Sequence, residues 1–364
     1  MKHALNRRSL LAATVFATTA FGITFPSAAD EKAAAEILKG SGSVVVSTWG
    51  GSYVEAQTNV FFKPFTEATG IEVITTGTPD AAKLKLMEQS GNVEWDLLDA
   101  EGQMMMMAAK DDLIQKVDYD LIHKIAPADE LLTETLNEYG FPSVAFGWAL
   151  TWNTDKFKGD AAPKNWADFW DVEKFPGRRA VYANPRPLLE VALLADGVPR
   201  DKLYPLDVDR AFKKLDEIKP HIDVWVENTG QFDVLLQNSE VDLMLGSLGR
   251  STIAKEKGLP FDYTMNDGLW QQSYWIVPKN APNAENAMKL IAWMAQAENE
   301  AEFVKKYPYG MPNKKSYDLM SDEIKSKIPT SPANLATQAK IEPEWWTENL
   351  EAVNRRWLEW YSAR

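Results

Sequence analysis

The chain has 364 residues, a formal net charge of −13 at pH 7 and no cysteine. The acidic balance argues against a nucleic-acid partner, and the missing cysteines exclude a disulfide-stapled scaffold. The length is enough to bury two sizeable cores without such bridges.

At the N-terminus, Lys2, Arg7 and Arg8 precede an apolar run over residues 10–23, followed by Pro26, Ser27, Ala28 and Ala29. That order reads as a secretory signal peptide over residues 1–29. The apolar run is about 14 residues, short of the roughly 20 a membrane span needs. Arg7-Arg8 fits a twin-arginine route and an ordinary positive n-region equally. Cleavage before Asp30 removes three positive charges and no acid, taking the net charge from −13 to −16. No later apolar run approaches spanning length, so the mature chain is not expected to insert in a membrane.

From Ser43 the chain reads as alternating strands and helices. The β-branched run at residues 44–48 predicts a strand, and Gly50-Gly51 a tight turn. Residues 54–69 carry helical apolar spacing up to Gly70, and residues 71–74 read as the next strand. Residues 82–89 are helical, 95–98 form a short buried strand, and 102–110 restart a helix. This strand–helix–strand order implies a parallel sheet, which binds ligands at the carboxyl ends of its strands. The four methionines at 104–107 are distributed around a helix, which favours packing over a metal site. Residues 146–153 form an extended apolar stretch suited to crossing between lobes. A second α/β region follows, with a helix from Asn165-Trp166, strands at 179–182 and 241–245, and a helix at 188–195. The run 271–277 carries the chain back, and residues 344–361 form a Trp-rich amphipathic helix docked on a lobe. These elements give an α/β fold of two lobes, with residues 42–148 plus 274–330 in the first and 149–273 plus 331–364 in the second.

The strings in this order resemble the extracytoplasmic solute-binding proteins of the spermidine/putrescine-binding type. Ser47-Thr48-Trp49-Gly50-Gly51-Ser52-Tyr53 is similar to their opening, and Trp95-Asp96-Leu97-Leu98, Trp166-Ala167-Asp168-Phe169-Trp170, Phe175-Pro176-Gly177-Arg178-Arg179 and Gly246-Ser247-Leu248-Gly249-Arg250 follow as further landmarks. The resemblance covers nearly the whole mature chain. It implies a two-lobed periplasmic binding protein fold, each lobe a mostly parallel sheet flanked by helices, joined by crossing hinge strands. It also implies ligand in the cleft, an ABC permease of the inner membrane as partner, periplasmic localisation, a monomer, and no cofactor.

Relatives of this type hold amines with carboxylates and aromatic faces. Here Arg250, Ser273 and Arg186 stand where acids are expected. An arginine fork matches a carboxylate, so the expected ligand carries an acid group. Glu101, with Glu227 as a second candidate, pairs with its amine. Trp49, Gly50, Tyr53 and Trp270 complete the expected site; Trp270 and Trp275 lie on opposite faces of one run, so only one lines the cleft. The pattern points to a zwitterion of the γ-aminobutyrate, amino-acid or opine type, with polyamines as the alternative and a sugar behind them. A plainer role for Arg186 and Arg250 is an inter-lobe salt bridge. An enzyme is disfavoured: His3 leaves with the signal, and His123 and His221 sit in no metal spacing or triad context.

Overall fold

The computed structural model describes residues 28–363. The expected signal peptide lies outside the described residues apart from Ala28 and Ala29, which open the helix Ala28–Leu38. No described helix is long and apolar enough to cross a membrane.

The described residues form nine strands in chain order: β1 (Ser43–Ser47), β2 (Glu72–Thr76), β3 (Leu97–Glu101), β4 (Phe141–Asn153), β5 (Arg179–Tyr182), β6 (Val224–Val226), β7 (Leu243–Ser247), β8 (Phe261–Ile276) and β9 (Ala339–Lys340). β1 pairs in parallel with β2 and β3, and β5 pairs in parallel with β6 and β7. Parallel neighbours need long crossovers, and helices supply them. Asp80 starts one such helix, Ala81–Ser90, by accepting from the Lys83 amide, and Gly70 closes an earlier one in the left-handed conformation.

Two strands belong to both lobes. The last residues of β8 run antiparallel to β3, with Glu101 opposite Ser273, while the last residues of β4 run antiparallel to β7, with Trp148 opposite Ser247. β4 and β8 also pair with each other, joining the two parallel sheets into one hydrogen-bonded order, β2-β1-β3-β8-β4-β7-β5-β6, with β9 on β8. At 13 and 16 residues, these strands are long enough for the task, since roughly 3.3 Å per residue gives them a reach of about 40–50 Å. Their shared register slips between Pro142 and Ala145 and again between Trp148 and Leu150. Such irregularities bend a strand and loosen its ladder. The expected lobe boundaries, 148/149 and 273/274, fall inside these two strands.

Each lobe has its own apolar core. One gathers Val44, Val46, Phe65, Trp275, Leu290 and Phe303; the other gathers Trp166, Val181, Leu189, Phe232, Leu245 and Trp346. Phe146, on β4, packs against both. The C-terminal helix Pro343–Ser362 is rooted in the second core by Trp346 and Trp357. Its first turns also reach the first lobe, where the Thr347 hydroxyl lies 3.7 Å from the Met106 sulfur. Met104 and Met105 of the helix Gly102–Lys110 are buried, so the methionine run serves core and lobe contact.

Candidate ligand-binding site

Between the lobes lies a cavity of about 40 Å³, lined among others by Trp49, Tyr53, Glu101, Arg250 and Ser273. A single water needs only about 10–15 Å³ by this measure, so the space suits a compact solute. Five expected residues therefore meet here. The wall also contains Val144, Phe146 and Trp148 of β4, Tyr182 at the end of β5, Thr229, Ser247 and Tyr309, which the sequence reading missed. A usable signal existed: residues two apart on a strand share a face, so placing residues 146–153 at the lobe crossing already put Phe146 and Trp148 beside the cleft.

The floor on the first-lobe side is built on Asp99 of β3, which is fully buried. Its carboxylate accepts hydrogen bonds from the Tyr53 hydroxyl and the Ser143 hydroxyl, each at 2.7 Å, and from Gln57 Nε2 at 3.3 Å. Its carbonyl oxygen accepts from Trp49 Nε1 at 3.0 Å. One residue thus fixes two rings of the cavity and ties β3 to the crossing strand β4. Burial pushes the Asp99 carboxyl up to about 6, against the lowering effect of its three donors, and the nearby Glu101 charge pushes the same way. Burial and the Asp99 charge hold Tyr53 well above its ordinary range, so it stays a donor.

Glu101, the last residue of β3, crosses the cleft to Arg186 Nη2. Its other oxygen accepts from Gln271 Nε2 at 3.0 Å, and Gln103 Nε2 stands 3.2 Å from the paired one. Arg186 comes from the N-terminus of the helix Pro185–Ala195, where the Asn184 side chain accepts its amide, and it keeps an extended backbone at φ −99° and ψ 127°. Its guanidinium lies 5.9 Å from the Trp346 ring centre. The side chain is buried, yet Nε and Nη1 have no hydrogen-bond partner among the described residues. Trp148 Nε1, in the cavity wall, is a third buried donor without a partner among the described residues. Glu190, one turn along the helix, accepts from Tyr204 and Trp346 at 2.6 and 2.7 Å and has an unpartnered Oε2, but it does not line the cavity.

Arg250 lines the cavity itself, near the start of the helix Leu248–Glu256. It pairs with Asp233, donates to the Gly50 carbonyl at 2.8 Å, and reaches Thr229 and Ser52 hydroxyls at 3.5 Å. Gly50 is therefore a partner of Arg250 rather than a residue of the cavity wall. Arg186 does not itself line the cavity and meets its wall through Glu101, and two further expected residues stand apart. Glu227 is exposed, with its amide 3.4 Å from Gln231 Oε1. Trp270 lies three residues from Ser273, hence on the opposite face of β8, where its strand neighbours are Gly147 and Lys340. Trp275 is in the first-lobe core. Among the described residues no group of His, Cys, Asp and Glu is placed to hold a metal ion.

A family profile for bacterial extracellular solute-binding proteins matches residues 61–332. The chain belongs to this family. It is 31% identical to the gamma-aminobutyric acid-binding protein of Pseudomonas aeruginosa over 346 residues, 93% of this chain and 94% of the relative. It is also similar to the binding protein AgtB of A. tumefaciens R10, solved in complex with agropinic acid. There the identity is 34% and the TM-score 0.81, over 88% of this chain and 98% of that one. Similarity to the spermidine/putrescine-binding periplasmic protein of Escherichia coli K12 is lower, 24% over 71% of this chain and 76% of the relative. The two-lobed fold is thus that of the solute-binding proteins; in this member Arg250 lines the cavity and Arg186 meets its wall through Glu101.

Proposed function

We propose that this solute-binding protein is the periplasmic receptor of an ABC importer, exported by a cleaved signal peptide, and that its ligand is a compact zwitterion of the γ-aminobutyrate, amino-acid or opine type. The observation that carries the reading is the Arg186–Glu101 pair with its surrounding donors. A zwitterion inserts into such a pair by exchange: its amine takes over Glu101, its carboxylate takes over Arg186, and no charge is left buried alone. The free N–H groups of Arg186 and Trp148 then gain acceptors. Names of the more similar relatives, for γ-aminobutyrate and agropinic acid, agree with this chemistry.

The rings and Glu101 also favour a polyamine, because aromatic faces attract cations. A polyamine, however, brings only donors and leaves Arg186 beside added positive charge. Ligand capture works by hinge closure: bending of β4 and β8 near residues 147–152 and 271–274 brings the second-lobe arginines onto a ligand seated on the first lobe. The closed pair of lobes is the surface the permease reads.

Isothermal titration of the mature protein with γ-aminobutyrate, an opine and putrescine tests the proposal. Heat with a carboxylated amine and none with putrescine supports it; binding of putrescine alone overturns it.

A further inference from the structure

Arg250 is 3% exposed and lines the cavity, but an internal carboxylate already occupies its fork. That carboxylate, Asp233 on the helix Gln231–Gln237, is itself held in place from the opposite lobe. The Ser52 amide donates to its Oδ2 and the Ser52 hydroxyl to its Oδ1, both at 2.9 Å. The backbone of the first lobe is shaped to admit it: Gly51 has φ +71°, and a Cβ there would lie 2.4 Å from Asp233 Oδ2 and 2.7 Å from Arg250 Nη1. Asp233 thus sits where the second acid group of a ligand would otherwise be bound.

Resting on the zwitterion reading above, we propose that Asp233 is the specificity determinant that restricts the ligand to a single carboxylate. The charge balance around the cavity supports it. Glu101 answers Arg186 and Asp233 answers Arg250, so these two pairs balance, while the buried Glu190, on which the Arg186 charge also acts, has its carboxyl pushed up by burial. A ligand with one amine and one acid leaves that balance unchanged. A second acid adds an uncompensated negative charge to a small site that already has the buried Asp99 carboxyl beneath it, and a buried charge without a partner is strongly disfavoured. With Asp233 neutralised, Arg250 becomes the receptor for that second acid.

The test is a titration of γ-aminobutyrate, L-glutamate and putrescine into the wild type, Asp233→Asn, Asp233→Ser and Ser52→Ala, with melting temperatures to confirm folding. The wild type is expected to bind γ-aminobutyrate at least 100-fold more tightly than L-glutamate. Either Asp233 variant is expected to lower that ratio at least tenfold. Ser52→Ala, which weakens the lobe contact and keeps the carboxylate, is expected to weaken both acids and leave their ratio unchanged. The inference is overturned if the Asp233 variants weaken both acids equally, which makes Asp233 a lobe contact only, or if the wild type prefers L-glutamate. Binding of putrescine alone removes the zwitterion reading and this inference with it, and binding of none of the three probes overturns this inference.

Discussion

The two ends of the cleft contain the same side chain in opposite states of satisfaction. Arg250 is used up by the protein, with Asp233, the Gly50 carbonyl and two hydroxyls around its fork. Arg186 has Glu101 as its hydrogen-bonded carboxylate, the charge of Glu190 and a ring beside it, and two buried nitrogens with no acceptor among the described residues. Leaving buried donors unmade costs about 1–3 kcal/mol each. A fold tolerates that where a ligand supplies the acceptor. The contrast teaches that an arginine beside a cleft is read by what its remaining N–H groups lack; under the proposed function, Arg186 would be the recognition end and Arg250 the closing end.

The largest effect expected from that contrast is at Arg186. Arg186→Ala strands Glu101 at the cleft without its counter-charge, and breaking such a pair costs about 3–5 kcal/mol. For a carboxylated amine this means a Kd raised by at least about 100-fold, read by calorimetry. Arg250→Ala removes the lobe contact instead, and the expected loss is about tenfold, expressed in a faster dissociation rate. Equal losses at both positions, with no difference in rates, break the comparison.

Asp99 gives a pH test of the floor beneath both ends. Its carboxyl titrates near 6 in the folded protein, against 3.8 as the ordinary value. Between those values the folded state binds more protons than the unfolded chain, so stability falls as pH rises from about 4 to about 6 and then levels off. The shift corresponds to roughly 3 kcal/mol. Asp99→Asn is expected to flatten this part of the pH–stability curve in chemical denaturation. An unchanged slope in the variant shows that the carboxyl ionises freely in the fold.

Gly51→Ala probes the closing end alone. The residue combines φ 71° with ψ −148°, a conformation nearly confined to glycine, and strain there costs about 1–3 kcal/mol. A methyl group also runs into Asp233 and Arg250. Small-angle scattering is expected to show a more open protein, with ligand affinity down about tenfold. An unaltered scattering profile means that the Ser52–Asp233–Arg250 contact does not set closure.

Much of this organisation was legible in the sequence because it depends on local pattern. The strand at residues 179–182, the helix at 102–110 and the Trp-rich C-terminal helix all lie where periodicity places them, and the arginines stood out as departures from an amine-binding pattern. What was missed depends on topology. Tyr309 reaches the cavity from a segment after the return strand, and Asp233 meets Ser52 across 181 residues of chain; no spacing rule encodes such a meeting. Trp270 and Ser273 illustrate the parity problem: both were expected in the site from one run, although an odd separation on a strand sends them to opposite faces.

The smallest expected effect is the sharpest test of the recognition end. Trp148→Phe keeps a ring to stack on Tyr182, whose ring centre lies 5.3 Å away, and removes the unpartnered Nε1–H together with the five-membered part of the buried indole. If that donor is structural, its loss changes stability and not binding. If it is held for a ligand acceptor, the melting temperature falls only by what the smaller ring loses in packing, while affinity for a carboxylated amine falls by about 1 kcal/mol, close to fivefold. A fivefold loss with the acid-bearing ligand and no loss with its amide, which presents a weaker acceptor, places the ligand's carboxylate at the Trp148 and Arg186 end. Equal behaviour of the two ligands moves the acid group elsewhere in the cavity.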